Sequence, residues 1–144
     1  MLHQIAALPV RLNADGAMDV YLVTSRGSGR WIIPKGNPIR GLAPQDVADR
    51  VAREEAGLVG PVLPRRLGSF AFQRVRGVSG ETCLIDVYPM HVDRQLKNFP
   101  EKRERTVRLC NLDTALAIVS SQPLAELIES YAAEMRSLRL ATGT

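Results

Sequence analysis

The chain reads as an α/β protein (α+β in some schemes), because strand-like and helix-like hydrophobic spacings alternate along its 144 residues. Residues 82–91 mix alternation with an almost continuous apolar run, as expected of a strand whose sheet is covered on both faces. Two helical stripes offer that cover: Val47, Ala48, Val51 and Ala52, and then Leu124, Leu127, Ile128, Tyr131 and Met135.

Residues 3–8 and 19–24 predict two strands joined through Asn13-Ala14-Asp15-Gly16, whose residue types suit a tight turn. The Gly-rich segment 25–30 is also a turn, and it lacks the Gly-Lys-Ser/Thr ending of a phosphate loop. Trp31, Ile32 and Ile33 form a short strand feeding Pro34, with Trp31 in the core or at its rim. Pro44 suits the first turn of a helix and Gly57 its left-handed end, so a helix is expected between them. Within it Glu55 follows Val51 by one turn and sits at the edge of the apolar stripe, where an unpaired carboxylate is costly. A hard divalent cation, Arg50, or a backbone group of the 34–37 loop would each remove that cost.

Further along, strands are expected at 62–67, 68–75 and 82–91, after a junction punctuated by Pro61 and Pro64 and with a turn at 77–80. Asp86 lies inside the third of these; it is expected at an exposed edge, paired, or directed at a substrate cation or metal. Asp113 is the expected N-cap of a helix over 114–119, and Pro123 opens a last amphipathic helix to about Leu138. Residues from about 139 to 144 are expected as a flexible tail.

With 45% apolar and 24% charged residues, residues 1–144 read as one compact domain. No apolar run reaches the roughly 18 residues that span a membrane. The N-terminus carries no basic leader, so a cytoplasmic location with no membrane partner is expected. Cys83 and Cys110 lack metal-ligand spacing and are expected as buried free thiols. The net charge of +4 indicates no specific nucleic-acid partner, and neither aromatic RNA platforms nor a helix-turn-helix pattern stands out. A homodimer is compatible with the sequence without being indicated by it. Basic residues gather locally instead: Lys97, Lys102, Arg103, Arg105 and Arg108 surround Glu101 and Glu104. Such a cluster is either a solvated surface or a cradle for a polyphosphate, since guanidinium forks match phosphate oxygens.

Pro34-Lys35-Gly36 and the helix ending Glu54-Glu55-Ala56-Gly57-Leu58 together resemble the signature of the Nudix hydrolases, with Gly36, Arg50, Glu54, Glu55, Gly57 and Leu58 in register. The later stretch Asn98-Phe99-Pro100-Glu101, its basic residues and Leu112-Asp113 are similar to bacterial Nudix proteins related to diphosphoinositol-polyphosphate and dinucleoside-polyphosphate hydrolases. The resemblance implies a Nudix-like α/β/α sandwich with a mixed sheet. It also implies Mg²⁺, with Mn²⁺ as a substitute, held by Glu54, Glu55 and the backbone carbonyl around Gly36 while Arg50 orients the carboxylates. The metal would neutralise a diphosphate and position water for attack at phosphorus. Lys35, Lys97, Lys102, Arg103 and Arg105 would bind phosphates, and Glu81, Glu101 or Glu104 would complete the metal set or act as base.

Two positions depart from the pattern, for Leu42 and Val51 stand where the family carries Glu. Asp46 and Asp49 do not stand in, because they project about 140° and 160° around the helix from Val51. The implied activity is a magnesium-dependent pyrophosphohydrolase cleaving the diphosphate bond of a nucleotide or inositol polyphosphate, a phosphorylated small molecule. The alternative is a catalytically degenerate relative that keeps the cleft to bind a polyphosphate or regulate through it.

Overall fold

The computed structural model describes residues 2–74 and 81–141. Its elements run β1 (Leu2–Leu12), β2 (Met18–Thr24), β3 (Trp31–Ile32), β4 (Lys35–Gly36), α1 (Pro44–Ala56), β5 (Leu58–Val59), β6 (Gly68–Arg74), β7 (Glu81–His91), β8 (Arg94–Gln95), β9 (Val107–Cys110), α2 (Leu112–Ile118) and α3 (Gln122–Ala141). Seven strands form the main sheet in the order β3-β2-β1-β7-β6, with β4 beside β1 and β9 beside β2; β5 and β8 form a separate pair. The sheet is mixed: β1 runs parallel to β7, and the other pairings are antiparallel.

Strand β1 explains why both faces need cover. Ala6, Leu8 and Val10 enter a core shared with Ala115 of α2 and Leu124 and Ile128 of α3, whereas Ile5 and Ala7 enter a second core against Val47, Ala48 and Val51 of α1. Helices thus flank the sheet on both sides, giving the α/β/α layering expected. Pro9 falls between the last β1 residue paired to β4 and the first paired to β2, a gap where its missing N–H is tolerated. The β1–β2 turn closes on Asn13, whose Oδ1 accepts the N–H groups of Asp15 and Ala17.

Helix α1 starts and stops as the residues dictate. Pro44 occupies its first turn, and Gly57 at φ 69° donates its N–H to the carbonyls of Ala52 and Arg53. Its buried face carries Val47, Ala48, Val51, Ala52, Glu55 and Ala56. Leu42, in one of the two departing positions, packs with Ile39 against this same core.

Four expectations are corrected or extended. Residues 62–67 form no strand: Val62 makes one bridge to Met90, and the N–H groups of Leu63 and Leu67 donate to Pro89 and Val87 of β7. Pro61 and Pro64 withhold the donors that a continuous ladder needs. The cap of α2 is Asn111, whose Oδ1 accepts the Thr114 N–H at 2.8 Å, so Asp113 lies inside the helix. Helix α3 continues past Leu138 to Ala141, which makes residues 139–141 helical; 142–144 lie outside the described residues, as does the 77–80 turn. Cys83 and Cys110 are both buried and form no disulfide, as expected. Among the described residues, no helix is long and apolar enough to cross a membrane.

Asp86 takes the paired option. It faces the α1 side between Ile5 of β1 and Ser69 of β6, and its carboxylate accepts from Ser69 Oγ at 2.5 Å and contacts His3 Nε2 at 2.7 Å. Arg66 Nη1 adds a contact at 3.4 Å. Burial alone would raise the pKa of this carboxyl, but the Ser69 and His3 hydrogen bonds and the nearby positive charges outweigh it and lower the pKa below 3.8.

Two outcomes follow from these contacts. Gly57→Ala should lose about 1–2 kcal/mol in urea unfolding from the left-handed backbone alone, and more because the new Cβ collides with the Phe99 ring; unchanged stability would show that the helix end relaxes freely. The folded Asp86 carboxyl keeps its charge to lower pH than the unfolded one, so its stabilisation is complete above about 3.8 and is lost as pH falls through the folded value. Asp86→Asn should therefore cost about 1–3 kcal/mol at neutral pH and flatten the acid limb of stability against pH; an unaltered acid limb would remove Asp86 from that account.

Candidate active site

The site begins where β3 turns through Pro34 into β4. The Ala7 N–H donates to the Pro34 carbonyl at 3.0 Å, and Ile5 and Ala6 pair with Gly36 and Lys35, so this loop is fixed to the centre of the sheet. Directly beneath it runs α1. A Cβ on Gly36 would lie 2.7 Å from Val51 Cγ1, so glycine at one position and a compact apolar side chain at the other define the approach of helix to strand.

One turn further along α1, the Glu55 side chain is only 8% exposed. Its Oε1 accepts the Lys35 backbone N–H at 3.4 Å, and its Oε2 lies 3.7 Å from Arg105 Nη2. The loop backbone is one of the partners expected for this carboxylate; the guanidinium beside it comes from Arg105, whereas Arg50 stands exposed on α1. Burial pushes the Glu55 pKa from 4.5 up to about 7, opposed chiefly by Arg105, reinforced by the charge of Glu101, and lowered further by the Lys35 N–H and ammonium. Near neutral pH this carboxyl is therefore partly protonated.

Arg105 is itself nearly buried, with a 9% exposed side chain. It donates from Nε to Glu101 Oε1 at 2.7 Å and from Nη1 to the Thr24 carbonyl at 3.0 Å. Arg26 reaches the same turn, 3.9 Å from Glu101 and 3.4 Å from Glu104. The turn is tied to the signature helix by its backbone as well, since the Glu101 N–H donates to the Glu54 carbonyl at 2.9 Å. Glu54 is half-buried, whereas Lys97, Lys102 and Arg103 are exposed and Glu81 stands exposed at the start of β7.

The opposite face of the β4 loop opens into a cavity of about 510 Å³. Phe70, Phe72, Ile85 and Leu124 give it apolar walls, while Arg30, Lys35, Gln4, Ser25 and Ser28 bring polar groups. Lys35 Nζ is held 3.2 Å from Gln4 Oε1 and 5.1 Å from the centre of the Phe72 ring. Arg30, Ser25, Gln4 and Phe72 had no assigned role in the sequence. The signal for two of them was the position of the 25–30 turn immediately before the Trp31 to Gly36 stretch; Gln4 and Phe72 arrive through strand pairing that no local pattern reveals.

The donors fit the implied Mg²⁺ centre poorly. Val51 contributes no oxygen, both Glu55 oxygens already face a backbone donor or a guanidinium, and among the described residues no three His, Cys, Asp or Glu side chains form a group able to hold a metal ion. Of the residues expected to act together, the fold brings Gly36, Lys35, Glu54, Glu55, Glu101 and Arg105 into one neighbourhood of loop, helix and turn.

No family model and no curated protein matches the chain. Solved structures do. A C. elegans Ap4A hydrolase in a binary complex superposes with a TM-score of 0.71 at 16% identity, over 95% of this chain and 99% of that one. The NUDIX domain of Shewanella oneidensis NrtR complexed with ADP ribose gives 0.67 at 16% identity, over 91% and 88%. A Nudix hydrolase of M. smegmatis, RenU, gives 0.60 at 20% identity, over 99% and 86%. Likeness at this level of identity concerns architecture, and the architecture of this chain is the Nudix fold.

Proposed function

We propose that this protein binds a phosphorylated small molecule, a nucleotide bearing a diphosphate or longer chain, without turning it over by a carboxylate-bound metal. The observation that carries this reading is the cavity: about 510 Å³ of space with apolar walls for a base and the cations Arg30 and Lys35 for phosphate. Beside it, the hydrolytic positions are filled by packing. Val51 is pressed against Gly36, Leu42 belongs to the α1 core, and Glu55 is engaged by Arg105. Structural neighbours named for Ap4A hydrolysis and for an ADP ribose complex support the ligand class.

Hydrolysis of a diphosphate bond is the second reading. It is favoured by the retained Glu54-Glu55 pair and by the hydrogen bond that joins Glu55 to the Lys35 loop. Magnesium, in that reading, would supply charge neutralisation at the diphosphate.

Calorimetry with ADP, ADP-ribose and a dinucleoside tetraphosphate at low salt should show binding that weakens as salt screens the phosphate contacts. Chromatography of the same mixtures with Mg²⁺ should recover the ligand intact. Lys35→Ala should weaken binding roughly tenfold, the scale of one charge-assisted contact. Absence of binding to all three ligands would sink the proposal, and Mg²⁺-dependent cleavage over many turnovers would replace it by the hydrolase reading.

A further inference from the structure

Three oxygens from three separate elements surround the Arg105 guanidinium: Glu55 Oε2 of α1, Glu101 Oε1 of the turn before β9, and the carbonyl of Thr24 at the end of β2. Carboxylate and carbonyl oxygens are the donors that a hard divalent cation takes, with water completing its shell. Here a side chain of this protein lies among them. We propose that Arg105 is the resident cation of this site, occupying the place of a divalent metal and thereby closing the site to one.

Charge and burial both support the substitution. Glu55 and Glu101 each turn a side-chain oxygen to this guanidinium, and an arginine supplies positive charge without the strong hydration that makes an ammonium or a small metal ion expensive to bury. The three contacts leave from different nitrogens of the guanidinium, namely Nη2 to Glu55, Nε to Glu101 and Nη1 to Thr24, so the planar group is used on all sides. A divalent ion bound to Glu55 would sit against a full positive charge already 3.7 Å from its ligand oxygen. Arg26, 3.9 Å from Glu101, adds to that repulsion. Val51, one turn before Glu55 and packed on Gly36, adds no oxygen to the set.

The inference concerns the oxygens under the β4 loop and not the cavity, so it holds whether or not the cavity takes a nucleotide. Its test is Mn²⁺ titration read by the electron paramagnetic resonance signal of free Mn²⁺, with thermal unfolding measured beside it and no nucleotide present. Wild-type protein should leave the free Mn²⁺ signal and its melting temperature unchanged. Arg105→Gln removes the charge while keeping a polar side chain; it should take up Mn²⁺ one to one and melt higher with Mn²⁺ than without. Uptake by wild type that Glu55→Gln abolishes would overturn the proposal, as would a folded Arg105→Gln that ignores Mn²⁺. If Arg105→Gln does not fold unaided, refolding with and without Mn²⁺ replaces the titration: recovery only with Mn²⁺ supports the substitution, and failure in both counts against it. Because no nucleotide is present, the ligand proposal is left to its own calorimetry.

Discussion

A carboxylate buried beneath a sheet strand is the constraint from which the local architecture follows. Glu55 lies on the core side of α1, where desolvation penalises its charge, and the partners that relieve the penalty come from distant parts of the chain. The Lys35 N–H brings the β4 loop onto the helix, and Arg105 brings the turn that precedes β9. Arg105 in turn holds Glu101, and Glu101 together with Glu104 holds Arg26. Arg26 belongs to the 25–30 turn, whose Ser25, Ser28 and Arg30 line the cavity. One ion-pair chain therefore runs from α1 to the 25–30 turn that borders the cavity.

Much of the framework was legible because its causes are local. Pro44, Gly57 and the Val47 to Ala52 stripe mark α1 from end to end, and continuous apolarity marked β7 as covered on both faces. Failures came where a local signal had two readings. Asn111 and Asp113 both suit a cap, and the chain geometry before Leu112 decides for the earlier one. Residues 62–67 carry strand-like residues, yet Pro61 and Pro64 reduce their pairing with β7 to separate bonds.

The site was legible only in part. Lys97, Lys102, Arg103 and Arg105 look equivalent as a basic cluster in sequence, but the fold leaves the first three exposed and buries the fourth against Glu55. That difference depends on where the turn before β9 lands on α1, a tertiary fact with no periodic signature. The same holds for Gln4 and Phe72, which β1 and β6 carry to the cavity from far apart in the sequence. The reading of Glu55 as a costly carboxylate was sound from spacing alone, and only the identity of its partners needed the fold.

The cavity and the acidic side chains of α1 are supplied by different elements. The cavity walls come from β1, β3, β4, β6, β7, α3 and the 25–30 turn, and neither Leu42 nor Val51 lines them. Those two residues instead tighten the α1 side: Val51 closes on Gly36, and Leu42 fills the core beside Ile39. An apolar side chain at position 51 gives the helix a dry contact with the β4 loop and brings no charge that needs neutralising. Arg105 faces one oxygen of Glu55 and the Lys35 N–H donates to the other, so the loop that presents Lys35 to the cavity is tied to α1 by this carboxylate and by the packing of Val51 on Gly36.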